Sequence, residues 1–122
     1  MSLYSVVVPV YNSEHTLTEL YTRLDKVFRE TVQEPFELIL VDDGSKDCSY
    51  QIMEELRQKD PRVKIIQMAR NFGQHPALLC GFSHAEGDFI ITMDDDLQHP
   101  PEEIPKPVSY THLRAHETDS YL

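Results

Sequence analysis

Four short apolar runs, each ending abruptly in polar residues, constrain the fold of this chain more than any other feature. They are residues 4–10 (YSVVVPV), 36–41 (FELILV), 63–68 (VKIIQM) and 89–93 (FIITM). Their β-branched and nearly continuous apolar character predicts strands covered on both faces. Pro9 cannot donate to a ladder, so the first strand is expected to end there. Between the runs lie helix-length stretches. Leu17, Leu20, Leu24, Val27 and Phe28 recur at helical spacing within residues 14–30, with Asn12 and Ser13 as candidate N-caps. A second helix is expected behind a tight turn at Gly44, capped by Ser45 or Asp47, running to about Lys59 and stopped by Asp60-Pro61. A third is expected with Pro76 in its first turn and Gly87 at its end.

The order β-α-β-α-β-α-β predicts an α/β fold with a Rossmann-like, mostly parallel sheet and helices on both faces. Ligands bind such sheets beyond the carboxyl ends of the strands. Tyr11-Asn12, Asp42-Asp43, Arg70-Asn71 and Asp94-Asp95-Asp96 follow the four runs in turn, so all four polar clusters are expected on one edge.

The last cluster carries the most chemistry. Three adjacent carboxylates repel one another, and stability alone is a poor reason to place them there. A hard divalent cation, Mg2+ or Mn2+, turns the repulsion into attraction. Asp94 and Asp96 could meet one ion from a turn, and Gln98 could add a neutral oxygen. An ion on Asp96 would suit a diphosphate leaving group, whose developing charge it offsets. Asp42 or Asp43 could accept a hydrogen bond from a nucleobase, and Tyr11 could stack on that base. Plainer readings stand beside these. Tyr11 could pack at a helix entry, Asn71 could shape a turn, Arg70 could pair with the acidic rim instead of a phosphate, and Asp95 could be a solvated bystander. His75, His84 and His99 read as surface groups.

Composition narrows the classes. The chain has 122 residues, enough for one domain or part of one, and 40% hydrophobic residues, enough for a core. A net charge of −10 excludes a nucleic-acid backbone as the expected partner. Cys48 and Cys80 lack a CxxC spacing and fit a reduced setting. No signal peptide and no membrane-spanning segment is legible. Dinucleotide, P-loop and nucleophile-elbow motifs are missing as well.

Val8-Pro9-Val10-Tyr11-Asn12, Val41-Asp42-Asp43-Gly44-Ser45, Asn71-Phe72-Gly73 and Asp94-Asp95-Asp96-Leu97-Gln98 together resemble the family 2 glycosyltransferases. The resemblance covers residues 4 to about 106. It implies a GT-A fold and an inverting, metal-dependent transfer from a UDP- or GDP-sugar. Gly73-Gln74-His75, Gly81-Phe82-Ser83-His84 and Asp96-Leu97-Gln98-His99-Pro100-Pro101-Glu102 are most similar to the branch that uses polyprenyl phosphate acceptors. That branch implies cell-envelope glycan synthesis at the cytoplasmic side of a membrane. The resemblance further implies that Pro9, Tyr11 and Asp42 or Asp43 hold the nucleotide. Asp94 and Asp96 would form the catalytic DxD pair, with Asp96 and Gln98 on the metal and Asp94 at the ribose or the metal. Relatives often carry Glu directly after the Tyr-Asn pair. Here Ser13 stands there, and Glu14 is carried one position later as a nucleotide-binding residue. The alternatives are transfer to a saccharide hydroxyl, a non-catalytic nucleotide-binding module, or a phosphatase using Asp94-x-Asp96.

Residues 108–118 break the pattern and resemble a translated sequencing adapter. Residues 1–107 are thus expected to be the incomplete nucleotide-sugar-binding part of a glycosyltransferase domain, and 108–122 a non-native tail. His112 and His116 are accordingly not metal-ligand candidates. The 122-residue chain alone is expected to bind a nucleotide weakly and to be inactive.

Overall fold

The computed structural model describes residues 2–98 and 100–104. Expectations for His99 and for residues 105–122 lie outside them. Four strands, β1 (Tyr4–Val10), β2 (Phe36–Asp42), β3 (Val63–Gln67) and β4 (Phe89–Thr92), form one sheet in the order β3-β2-β1-β4. Every pairing is parallel, with Val6 opposite both Leu38 and Ile91. Helices α1 (Leu17–Val27), α2 (Ser49–Lys59) and α3 (Gln74–Ser83) make the crossovers.

The strand order explains the layering. From β1 to β3 the chain steps in one direction, and right-handed crossovers put α1 and α2 on one face. It then steps back past β1 to β4, so α3 must cross on the other face. The side chains agree. Tyr4, Val6, Val8 and Val10 join a core with Leu20, Leu24, Met53 and Leu56, whereas Val7, Ile39 and Val41 pack against Ala77 of α3. All seven residues of β1 are buried, as both faces require.

Pro9 sits inside the strand, opposite Val41, rather than ending it. Its position on the ladder explains why. Backbone groups alternate in direction along a strand; Val7 C=O accepts from Met93 and Val10 C=O from Asp43. Pro9 therefore turns its missing N–H toward β4, one step beyond Val7–Thr92, where that pairing ends.

Three other boundaries differ from the sequence reading. Helix α1 begins at Leu17 because the expected caps serve elsewhere: Asn12 Oδ1 accepts the Lys46 N–H at 2.8 Å, and the Ser13 hydroxyl bonds Asp95. Its far end widens into a π-helical turn, Phe28–Val32, closed by Gln33 at φ 58°. Helix α3 starts at Gln74, with Pro76 still in its first turn, and ends at Ser83, whose hydroxyl folds back onto the Cys80 carbonyl at 2.7 Å. Gly87 serves close approach instead of the helix end. A Cβ there would lie 2.5 Å from Ser5 Oγ and 2.8 Å from the Leu3 carbonyl.

The amino ends of the strands are locked by aromatic and ionic contacts. Phe28 stacks on Phe36 with centroids 4.5 Å apart, and Tyr4 lies 5.1 Å from Phe89. Buried Asp60 accepts from Arg62 Nη2 at 2.7 Å and from the Tyr21 hydroxyl at 2.7 Å. The hydrogen bonds from Arg62 hold the Asp60 carboxyl far below its ordinary 3.8, against the upward pull of burial. A depressed carboxyl pKa adds stability above the unfolded value and loses it as pH falls toward the folded one. Equilibrium denaturation should thus show stability falling as pH drops from about 5, and Asp60→Asn should flatten that slope.

At Gly81 a Cβ would lie 2.3 Å from Val7 Cγ1 and 3.2 Å from Val41 Cγ2, so α3 lies directly on the sheet. Gly81→Ala is expected to cost about 1–3 kcal/mol, seen as a lower urea midpoint with an unchanged slope.

Candidate functional site

The direction of travel reverses at β1, where β4 joins the sheet, and a crevice opens beyond the carboxyl ends of β1, β2 and β4. A cleft of about 240 Å³ lies there, lined by Pro9, Val10, Tyr11, Asp43, Gln74, Asp94, Asp95 and Asp96. Its volume is below the roughly 300–1,000 Å³ typical of sites for drug-sized ligands, so these residues can enclose only part of such a molecule. Four of the eight are aspartates, and none is cationic.

The aspartates divide by what already holds them. Asp43 is 4% exposed and accepts the Phe72 N–H at 2.8 Å and the Gly73 N–H at 3.1 Å. It thereby pins the β3–α3 loop to the tip of β2. Gly44 lets the two meet: at φ 79°, a Cβ there would lie 2.5 Å from Asn71 N. Asp95 accepts the Tyr11 N–H at 2.9 Å and the Ser13 hydroxyl, tying the β4 tip to the β1–α1 loop. Among the described residues Asp94 accepts only the Gln74 side-chain amide, at 2.9 Å, and Asp96 only the Gln98 N–H, at 3.1 Å. Two carboxylates thus build the walls and two keep most of their acceptor capacity for a ligand.

The remaining candidates separate in space. Tyr11 is 43% exposed and lines the cleft beside Pro9. Asp42, 1% exposed, lies outside it and accepts the Ser45 N–H at 3.2 Å. Of the two β2 aspartates, Asp43 is the one at the cleft. Glu14 faces Cys48 at the start of α2, where the carboxylate and its hydrogen bond push the thiol pKa up. It does not line the cleft, and neither does Gln98, which is exposed on the β4 tip. Arg70 stacks 4.9 Å from the centroid of the Phe72 ring and makes no ion pair among the described residues, contrary to the salt-bridge reading. Asp95 is half-buried and bonded, so its reading as a solvated bystander is corrected. Gln74 was given no role by the sequence; its spacing to Asp94 is tertiary and leaves no local signal.

No group of three or more His, Cys, Asp or Glu residues placed to hold a metal occurs among the described residues. The donor set still fits a hard divalent ion. Its available ligands are carboxylate oxygens, and such ions bind through one or two carboxylates with phosphate and water completing the shell.

An all-parallel α/β sheet with acidic residues beyond its carboxyl ends fits a GT-A domain, and comparison with known proteins shows that fold. The chain belongs to glycosyl transferase family 2, whose model, "Glycosyl transferase family 2", matches residues 5–117. It is 51% identical over 106 residues to an undecaprenyl-phosphate 4-deoxy-4-formamido-L-arabinose transferase of Proteus mirabilis, covering 86% of this chain and 32% of that protein. It therefore spans about a third of the length of this curated relative. The crystal structure of S. aureus TarS 1-349 in complex with UDP superposes with a TM-score of 0.66 at 38% identity, covering 76% of this chain and 27% of that one. A mannosyltransferase from Pyrobaculum calidifontis in complex with GDP-Man and Mn2+ shares the fold, with a TM-score of 0.63 at 21% identity over 78% of this chain and 28% of that one. This membership leaves no support for the phosphatase alternative.

Removing the Asp43 carboxylate leaves the part-buried Phe72 and Gly73 N–H groups without their charged acceptor. Asp43→Ala is expected to cost about 1–3 kcal/mol and to accelerate hydrogen exchange at Phe72 and Gly73 before any strand amide responds.

Proposed function

We propose that this chain is the donor-binding part of a metal-dependent inverting glycosyltransferase. It would transfer a sugar from a UDP- or GDP-sugar to a polyprenyl phosphate at the cytoplasmic face of a membrane. The carrying observation is the cleft itself: four aspartates at a parallel-sheet switch point, no cationic residue, and Asp94 and Asp96 spared for a ligand. A diphosphate would be repelled by that charge unless a cation entered with it. Asp94 and Asp96 would hold Mg2+ or Mn2+; Gln98, which does not line the cleft, is left out of the ligand set. Such an ion, when bound, offsets the negative charge that develops on a departing diphosphate.

The chain's own residues would then bind and orient the nucleotide. Tyr11 offers an exposed aromatic face beside the cleft, and Pro9 and Val10 form its floor. Asp43 already accepts two backbone N–H groups, so it would contact a base only with its remaining lone pairs. The polyprenyl phosphate acceptor is supported by the 51% identity to an undecaprenyl-phosphate transferase. A phosphate acceptor is already anionic and needs no base to remove a proton. Among the described residues no helix is long and apolar enough to cross a membrane. The membrane location therefore rests on the acceptor.

Calorimetric titration of UDP and GDP tests the reading. Binding is expected near a Kd of about 1 mM with Mg2+, lost with a chelator, and weakened tenfold or more in Asp94→Asn and Asp96→Asn. Metal-independent binding, or binding untouched by either variant, would contradict it.

A further inference from the structure

The β1–α1 loop is held from two sides, and the two sides are unequal. Toward β2–α2 its backbone and the Asn12 side chain make four hydrogen bonds among the described residues. The Asn12 N–H reaches Ser45 Oγ at 2.9 Å, Asn12 Oδ1 accepts from Lys46 N–H at 2.8 Å, the Ser13 N–H reaches Ser49 Oγ at 2.7 Å, and the Glu14 N–H reaches Asp47 Oδ2 at 3.2 Å. Across the cleft, toward the β4 tip, each hydrogen bond among the described residues ends on Asp95. Its Oδ2 accepts the Tyr11 N–H at 2.9 Å and the Ser13 hydroxyl, and its carbonyl accepts the Thr16 hydroxyl at 2.5 Å. Asn12 meanwhile sits at φ 51° and Leu97 at φ 62°, left-handed conformations that cost energy in non-glycine residues and need tertiary support.

We propose that Asp95 is a positioning residue. It spans the switch point, holds the β1–α1 loop against the β4 tip, and so makes Tyr11 and the Asp94/Asp96 pair face one cleft. Hydrogen bonding separates the roles: all three line the cleft, but the Asp95 carboxylate is taken up by the neighbouring loop, whereas Asp94 and Asp96 each hold one donor among the described residues. The inference rests on the donor-binding reading for its consequence, but the clamp is a property of the free protein. Because the Tyr11 N–H and the Ser13 hydroxyl converge on one carboxylate oxygen, the clamp needs an acceptor there and no charge. This distinguishes Asp95 from a third metal ligand, for which charge would matter.

The test compares Asp95→Asn with Asp95→Ala in the 122-residue chain by two measurements. Amide exchange at Tyr11 is read without ligand. Binding of UDP and GDP with Mg2+ is read from chemical-shift titration, which reaches millimolar affinities. Asp95→Ala should exchange Tyr11 at least about tenfold faster and weaken nucleotide binding about tenfold, while the amides of Val6 and Val8 in β1 stay protected. Asp95→Asn should stay within about twofold of the parent in both, since its amide oxygen can take the place of Oδ2. Unchanged Tyr11 exchange in Asp95→Ala would overturn the clamp. Equal loss of binding in Asn and Ala variants would overturn it in favour of a charge or ligand role. If the parent binds neither nucleotide, the donor-binding reading fails, and the Tyr11 exchange alone decides the clamp.

Discussion

A parallel strand can be reached only by a crossover, and right-handedness decides which face that crossover covers. In this chain the constraint acts twice in one direction and once in reverse. The reversal puts β4 on the free side of β1, and the loops that follow the two strands meet through Asp95. Everything at the candidate site follows from that geometry. β1 must be buried on both faces, Pro9 can occupy its last turn of ladder because β4 has ended, and the acidic ends of β2 and β4 meet the end of β1 at one crevice.

Bringing four carboxylates together carries an electrostatic cost, which the fold offsets selectively. Two unit charges 4 Å apart interact by about 4 kcal/mol at an effective dielectric near 20. Backbone N–H groups and a hydroxyl satisfy Asp43 and Asp95, turning those charges into ties between loops. Asp94 and Asp96 receive one donor each. The unspent acceptor capacity therefore lies where a cation would do most for a diphosphate. Packing strength is concentrated at the other end of the sheet, where Tyr4, Phe28, Phe36 and Phe89 cluster and Asp60 closes the turn before β3. Loops at the carboxyl end are thereby carried on a rigid base.

Much of this was legible because it is local. The apolar runs marked the four strands within a residue or two, and the spacing of Leu17, Leu20 and Leu24 marked the buried side of α1. The convergence of the polar clusters followed from the βα alternation alone. What escaped was tertiary. Asn12 and Ser13 have the chemistry of caps, yet their side chains and backbone are better satisfied by Lys46, Asp95 and Ser49 on other loops. Gly87 has the chemistry of a helix end, yet its lack of a side chain serves contact with β1. A short polar side chain has several partners of similar worth, and only the assembled fold chooses among them. The same holds for Glu14, whose carboxylate lies by Cys48 and not at the cleft.

The central claim, that the switch-point cleft is a metal-dependent diphosphate site, is tested most directly by paramagnetic broadening. Mn2+ would be titrated into 15N-labelled chain with UDP or GDP present. The account expects the amides of Tyr11, Asp43 and residues 94–96 to broaden first, while Tyr4, Phe36 and Phe89 at the opposite end keep their signals. Broadening centred on another acidic patch, such as Glu54 and Glu55 on α2, or spread evenly over the surface, would contradict it.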